Sequence, residues 1–457
     1  MIPSFNRQRW ILLFGDVVLI GLATQLAPWI RTGRYFNVFD HYTGASVFTL
    51  FLYLVMLYIF DMYNMGRGFR YSDTALRTAV AVGTAGIFSA FLFYSLPSWK
   101  YGRGILIIQV LLVWGFLTGW RWVYSYIFSI TLHKKDVLIL GAGRCGTALG
   151  NLLEAEFSPY RVVGFLDDDP AKQGKVMGSL MVIGPTDRFK EIASKMGVNT
   201  AILAITHDRP SGLIKQVLEA RLKGMTILEM PTVYEALTRR VPVEHIYDHW
   251  LLFTEGFYLV SKPYMQKVKR LIDFGVSALI LLVTLPVTAL SALAIRLDTP
   301  GPVFFKQERI GKDGLVFVLW KFRSMRQDSE KNGPKWAEKN DPRVTRVGKW
   351  LRRLRIDEIP QLYNVFRGEM SLIGPRPERP EFVQDLEKQI PYYGIRHSVR
   401  PGITGWAQVN YRYGASVEDA LRKLEYDLYY IKNMSLFLDF RIILKTIGVV
   451  LFGQGAR

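Results

Sequence analysis

Cysteine, histidine and acid are all scarce in this chain. Cys145 is the one cysteine among 457 residues, which leaves no intramolecular disulfide framework and fits soluble parts kept in a reducing compartment. The six histidines and Cys145 fall at no zinc-type spacing, and no nucleic-acid-binding motif is present. Acid is short as well: 39 Asp and Glu stand against 58 Lys and Arg, a formal charge of +19. The surplus asks for an anionic partner. With nucleic acid disfavoured, anionic lipid and phosphorylated small molecules are left. Internal repeats and low-complexity tracts are lacking too. The first apolar run has no small-residue cleavage site after it, so a cleavable signal peptide is not expected.

What is abundant is apolar. Half the residues are hydrophobic and the mean hydropathy is positive, which points to membrane segments. Four apolar runs, 10–30, 42–60, 78–97 and 104–120, are each near the roughly 20 residues that cross a bilayer as a helix. Arg7, Arg9, Arg67, Arg70, Arg77, Lys134 and Lys135 flank one side, against Arg31, Arg34, Lys100 and Arg103 on the other. The bias places both ends of this bundle in the cytoplasm. Asp16, near the end of a run, is expected to reach the interface rather than to serve a function.

A fifth run, 274–295, carries no charge but has Pro286 near its centre, where a backbone hydrogen bond is lost and a kink forced. Lys267, Lys269 and Arg270 precede it and Arg296 follows it, so both ends suit the same anionic leaflet. The expectation is a re-entrant helix over about 271–296, not a fifth crossing.

Between these lies a segment of different character, 134–256. Strand-like stretches at 136–141, 162–166, 200–205 and 225–228 alternate with helical ones, the pattern of a Rossmann-like α/β domain. Gly141, Gly143 and Gly146 form a phosphate-type turn, with Asp167 at the distance of a ribose-binding acid. A turn kept for the fold after its ligand is lost is an equal alternative to a nucleotide site.

The remainder, 257–457, is rich in Gly, Pro and Arg beyond the apolar run. In 346–355, Val347, Trp350, Leu351 and Leu354 share one helical side bordered by cations, as on a helix lying in a membrane interface; 436–452 is a second such segment. Asp357 and Glu358 precede Pro360 at an apparent helix start, where a carboxylate stays ionised and a neighbouring acid can share a divalent cation. Arg376, between Pro375 and Pro377, is a guanidinium on a stiff backbone, suited to phosphate oxygens. An ordinary helix cap beside a surface arginine explains the same residues equally well.

From about Lys267 onward the chain resembles the bacterial sugar transferase family, the monotopic polyprenyl-phosphate phosphoglycosyl transferases. The resemblance is carried by Lys269-Arg270-Leu-Ile-Asp273, by Gly301 to Gly311, by Trp320-Lys321-Phe322-Arg323-Ser324-Met325 and by Asp357-Glu358. Gly374-Pro-Arg-Pro377 and the block from Arg400 to Asn410 complete it. The four-run bundle plus α/β domain is similar to the large form of the family, and Asp248 to Gly256 to its exopolysaccharide subgroup. One departure is visible: Leu285-Pro286 stands where the family often has Ser-Pro, with Thr284 and Ser277 as stand-ins for the freed carbonyl. The resemblance implies a UDP-sugar and undecaprenyl phosphate as substrates, Mg²⁺ held by Asp357, Glu358 or both, and Asp357 as nucleophile. Arg376, Arg323, Arg400 and Lys321 would bind phosphate. It implies a bilayer-bound enzyme of the bacterial inner membrane, its soluble domains in the cytoplasm, with glycan-assembly proteins downstream; a homodimer is compatible. No residue names the sugar. A catalytically dead scaffold or nucleotide sensor is the rival. A membrane-bound nucleotide-sugar dehydratase is disfavoured, because no second nicotinamide-type glycine turn follows Glu255.

Overall fold

The computed structural model describes residues 3–34, 37–60, 62–63, 71–96, 102–131, 134–154, 158–205, 211–246, 248–254, 256–257, 263–326, 341–411, 414 and 416–451. Arg67, Arg70, Lys100 and Glu255, and the side chains of Arg7 and Arg9, lie outside that description. The chain divides into two compact units, Met1–Met230 and Pro231–Arg457.

In the first unit, helices α1 (Pro3–Thr32), α2 (Thr43–Ile59), α3 (Tyr71–Ser95) and α4 (Arg103–Thr131) pack around Ile20, Tyr53, Leu57, Ala81, Val113 and Leu117. Three of them are long and apolar enough to cross a bilayer, and α2 is the shorter apolar member at 17 residues. Their outer faces show Trp10, Phe14, Phe51, Phe91 and Ile107, the apolar exterior that lipid requires. Asp16 does not reach an interface. It is fully buried between helices, its two oxygens accepting bonds of 3.0 and 2.9 Å from Arg121, one residue beyond the expected end of the fourth run. A buried carboxylate is tolerated here because the guanidinium supplies its counter-charge.

The rest of this unit is a six-stranded sheet: β1 (Lys135–Leu140), β2 (Tyr160–Leu166), β3 (Val176–Met177), β4 (Leu180–Gly184), β5 (Thr200–Leu203) and β6 (Thr226–Glu229). Their order is β3-β4-β2-β1-β5-β6, parallel except for the β3–β4 pair. Helix α5 (Arg144–Leu153) makes the first crossover. The central strands are continuous apolar runs because both sheet faces are covered.

The second unit takes in more sequence than expected. Val241, Val243, Ile246 and Trp250, assigned above to the α/β domain, are buried in one core with Tyr393, Trp406, Leu428 and Ile442. The boundary therefore falls near 230 rather than 256, because these side chains find their apolar partners downstream. Helix α6 (Pro263–Asp298) runs for 36 residues with Pro286 inside it. A hairpin follows, β7 (Phe304–Ile310) paired antiparallel with β8 (Val316–Phe322), and its turn uses positive φ at Asp313 and Gly314. Next come α7 (Arg346–Arg353), capped by Thr345 Oγ1 accepting from the Gly348 N–H at 2.9 Å, and α8 (Gln361–Arg367). Short parallel strands β9 (Ser371–Ile373) and β10 (Gly402–Thr404) are followed by α9 (Val417–Lys432), which a Ser416–Asp419 capping box starts, and α10 (Leu436–Leu451).

Both ends of α6 are held by this same unit. Near its start, Arg270 donates to the Val365 and Phe366 carbonyls, Asp273 accepts the Leu372 N–H at 3.1 Å and Phe274 stacks on Phe366. Near its end, Ile295 is buried with Phe322 and Leu351, and Asp298 accepts the Val347 N–H. The stretch between is outward-facing and apolar, with Leu279, Leu282, Val283, Leu285 and Leu290 exposed. Thr284 donates to Ile280 and Ser277 to Asp273, so neither serves the Leu282 carbonyl that Pro286 leaves without a donor.

Candidate active site

The site is assembled where β8, the turn after α7 and the loop after β9 meet. Asp357 and Glu358 lie in a 3₁₀ turn, Ile356–Glu358, entered through Arg355 in a left-handed conformation at φ 59°. A non-glycine residue there is strained by about 1–3 kcal/mol. Asp357 makes no helix cap, contrary to expectation: α8 starts at Gln361 behind Pro360 with no side-chain cap. Its carboxyl is buried, and Oδ1 has no hydrogen-bond partner among the described residues. Burial and the adjacent Glu358 push its pKa up, while Lys321, Arg352 and Arg355 pull it down.

Glu358 is the opposite case. Its Oε1 accepts from Arg376 at 2.8 Å and lies 3.5 Å from Lys321 Nζ and 3.8 Å from Arg355. Although burial opposes it, Arg376, Lys321 and Arg355 together hold this carboxylate well below its usual range. Lys321, at the end of β8, is lowered to about 8, mainly by burial with Glu358 opposing. Two adjacent carboxylates thus have different states: one clamped by cations, one left with a bare oxygen.

Arg376 is aimed from behind. Its backbone carbonyl accepts a 2.9 Å bond from Arg396, which also bonds Asp427 at 2.9 Å and Tyr393. Sequence reasoning missed Arg396, Asp427 and Arg355. Arg355 stood in the stretch assigned to the membrane surface, and nothing local marks which arginine of such a run turns inward. Arg352 turns inward as well, onto Ser324 Oγ at 2.8 Å, while Trp350 and Leu354 stay exposed and Arg353 stacks over Trp350.

Comparison with known proteins gives the family of the chain. A family model described as bacterial sugar transferase matches residues 264–453, and one described as a CoA-binding domain matches 58–220. A UDP-glucose:undecaprenyl-phosphate glucose-1-phosphate transferase of Klebsiella pneumoniae is 30% identical over 95% of this chain and 93% of its own length. An undecaprenyl-phosphate glucose phosphotransferase of Komagataeibacter xylinus is 35% identical over 79% of this chain and 72% of its own. The chain belongs to the bacterial sugar transferase family. A third relative, the UDP-N-acetylgalactosamine-undecaprenyl-phosphate N-acetylgalactosaminephosphotransferase of Aeromonas hydrophila, is 46% identical over 52% of this transferase, a match that spans only 55% of the relative.

Two phosphate ligands expected in the transferase stand elsewhere. Arg323 is buried with its guanidinium on the Thr299 and Pro300 carbonyls, where it closes the C-terminal end of α6. Arg400 donates through Nε to the Gly368 carbonyl at 2.9 Å, beyond the end of α8. Neither contacts the Asp357–Glu358 pair; Lys321 and Arg376 do.

In the α/β region, the glycine turn is built for packing. Gly141 has φ +107° and a Cβ there would meet Ile205 at 2.8 Å; one on Gly146 would overlap the Gly141 carbonyl oxygen, whereas Gly143 faces open space. Asp167 accepts the Ala142 N–H at 2.7 Å and pairs with Lys172 at 3.3 Å, so it ties the turn together rather than standing free for a ribose.

A divalent ion suits the donors only in one form. Among the described residues no group of three or more acidic, His or Cys side chains is placed to hold a metal ion. Mg²⁺ is often held by one or two carboxylates plus substrate phosphates, and the unpartnered Asp357 Oδ1 is such a donor.

Proposed function

We propose that this transferase moves a sugar 1-phosphate from a UDP-sugar to undecaprenyl phosphate, releasing UMP, by way of a phosphoryl-aspartate. The observation that carries the reading is the buried, unpartnered oxygen of Asp357 beside the Glu358–Lys321–Arg376 cluster. A carboxylate with its shell of donors removed is a stronger nucleophile, and nearby cations keep it ionisable. In the first step an Asp357 oxygen attacks the phosphorus bearing the sugar. The bridge to the other phosphorus breaks, and UMP leaves with the bond pair. In the second, a phosphate oxygen of the polyprenyl carrier attacks the same phosphorus and the carboxylate departs, giving the polyprenyl diphosphate sugar. Arg376 and Lys321, held on Glu358 in the resting site, are positioned to pass to the phosphate oxygens. Bound Mg²⁺, with Asp357 as its protein ligand, would neutralise diphosphate charge.

The same reading puts the apolar middle of α6 into the cytoplasmic leaflet of a bacterial inner membrane and out again on the same side. Its support is that both ends of α6 are tied to one polar unit, which a crossing helix would separate by the roughly 30 Å hydrocarbon layer. Trp350 and Leu354 with Arg353 add an interfacial rim. The relatives' names differ in the sugar, glucose or N-acetylgalactosamine; the role proposed is the first committed step of exopolysaccharide or another surface glycan. Nanodisc-purified protein with Mg²⁺, undecaprenyl phosphate and a panel of UDP-sugars tests this. Lipid-dependent UMP release that Asp357→Asn abolishes is the expected result, and turnover by that variant at the wild-type rate overturns the nucleophile assignment.

A further inference from the structure

A basic cavity in the C-terminal unit has none of Lys321, Asp357, Glu358 or Arg376 in its walls. Its walls include Lys269, Asp273, Lys312, Ser398, Arg400 and Tyr430. Gln266, Lys269 and Asp273 follow one another at helical spacing, so one face of the first turns of α6 forms a wall. Ser371 and Ile373 of β9 form another. Three residues further along the chain, Arg376 leaves the same segment for Glu358.

The charge balance of the cavity is basic. Lys269 is already paired with Asp439 at 2.7 Å, and the Asp273 carboxylate is partly occupied by the Leu372 N–H. Arg400 uses only Nε, on Gly368, so its two terminal nitrogens are unused among the described residues. Among the described residues Lys312 pairs only with its neighbour Asp313, at 3.6 Å. The Ser398 hydroxyl is buried against the cavity with no partner among the described residues. Two cations and an unspent hydroxyl donor converging on one hollow match a phosphate group, which accepts several bonds at once.

Asp273 directly precedes the apolar stretch of α6, and Gln266 lies seven residues earlier, about 10 Å along the helix axis. The headgroup layer on one side of a bilayer is roughly 5–8 Å thick. A helix entering the membrane after Asp273 therefore brings Lys269 to the level of lipid phosphates.

We propose that this cavity holds the phosphate of a membrane lipid in the leaflet that α6 enters, a second phosphate site beside the one at Asp357. The proposal rests on the membrane reading of α6 given above. Lipid phosphate captured here would be anchored on the same β9–Arg376 segment that reaches the reacting centre, which couples lipid docking to the catalytic loop.

The test uses full-length protein in nanodiscs and reads equilibrium binding without turnover. The probes are a short-chain prenyl phosphate, inorganic phosphate, and phosphatidylglycerol added to neutral nanodiscs. Lys312 is the residue to change first, because it sits on an accessible turn whereas Arg400 also holds a backbone carbonyl. Lys312→Glu should weaken prenyl phosphate binding about 10-fold or more, and Lys312→Arg should retain it. If phosphatidylglycerol competes in the wild type and loses that competition in Lys312→Glu, the cavity takes bilayer phospholipid; if it never competes, the cavity is reserved for the prenyl carrier. Inorganic phosphate binding as tightly as the prenyl probe overturns the lipid assignment. So does prenyl phosphate binding that survives Lys312→Glu but is lost in Arg376→Gln, because the phosphate then lies at Asp357. A failed transfer reaction would show in UMP release alone and leave these binding outcomes readable.

Discussion

Two regions of this transferase carry sequence patterns that suggest phosphate binding, and their polar groups are spent differently. In the α/β region the acid of the pattern is used up: Asp167 accepts from the turn it closes and pairs with Lys172. At the C-terminal site, Glu358 takes the cations and Asp357 keeps a buried oxygen with no partner among the described residues. An unsatisfied buried polar atom costs about 1–3 kcal/mol, and one set beside a cluster of cations is a candidate for a ligand-binding role. The lesson is that a motif's remaining hydrogen-bonding capacity, rather than its residue types, separates a structural turn from the reacting centre proposed at Asp357.

The sharpest way to break that comparison is Asp357→Asn. Turnover should fall by about a thousandfold or more, measured as UMP release, while the melting temperature stays level or rises because a costly buried charge is removed. A fall in both would make Asp357 a structural acid like Asp167. Arg376→Gln should come next, lowering turnover by about a hundredfold and destabilising the unit by roughly 1–3 kcal/mol, since Glu358 loses its nearest counter-charge. Adding Glu358→Gln should restore melting but not turnover, which a double-mutant cycle would read directly.

The α/β region should answer in the other currency. Gly146→Ala should destabilise by about 1–3 kcal/mol through overlap with the Gly141 carbonyl, and Gly143→Ala should be near neutral. Neither should change UMP release per folded molecule. Activity lost in Gly143→Ala at full stability would mean a ligand occupies that open space after all.

The smallest effect concerns pH. His397 is lowered to about 4, chiefly by burial and then by Arg396. The unfolded chain binds a proton at this residue below about pH 6.5 and the folded chain does not, so its contribution is intact above that value and lost as pH falls toward 4. His397→Gln should flatten the melting temperature across that window and leave it unchanged above pH 7.

Much of the architecture was legible because its signals are local. Apolar runs of membrane length, alternation of strand and helix, and the turn glycines depend on neighbouring residues only. Interruptions were less visible. The inward turn of Val241 to Trp250 depends on partners such as Tyr393 and Trp406, more than a hundred residues away. Asp357, Glu358, Lys321 and Arg376 come together in the structure, whereas Arg323 and Arg400 of the same blocks donate to backbone carbonyls away from that pair, Arg400 through Nε alone.

By itself, then, the order of residues determined the long apolar helices, the α/β region and the family, since run length, periodicity and motif spacing are properties of a chain. Tertiary structure alone decided that Asp16 meets Arg121, that Arg396 steadies Arg376, and that one oxygen of Asp357 is left bare. Those outcomes depend on which groups arrive at hydrogen-bonding distance when distant segments pack, and no local pattern encodes that distance.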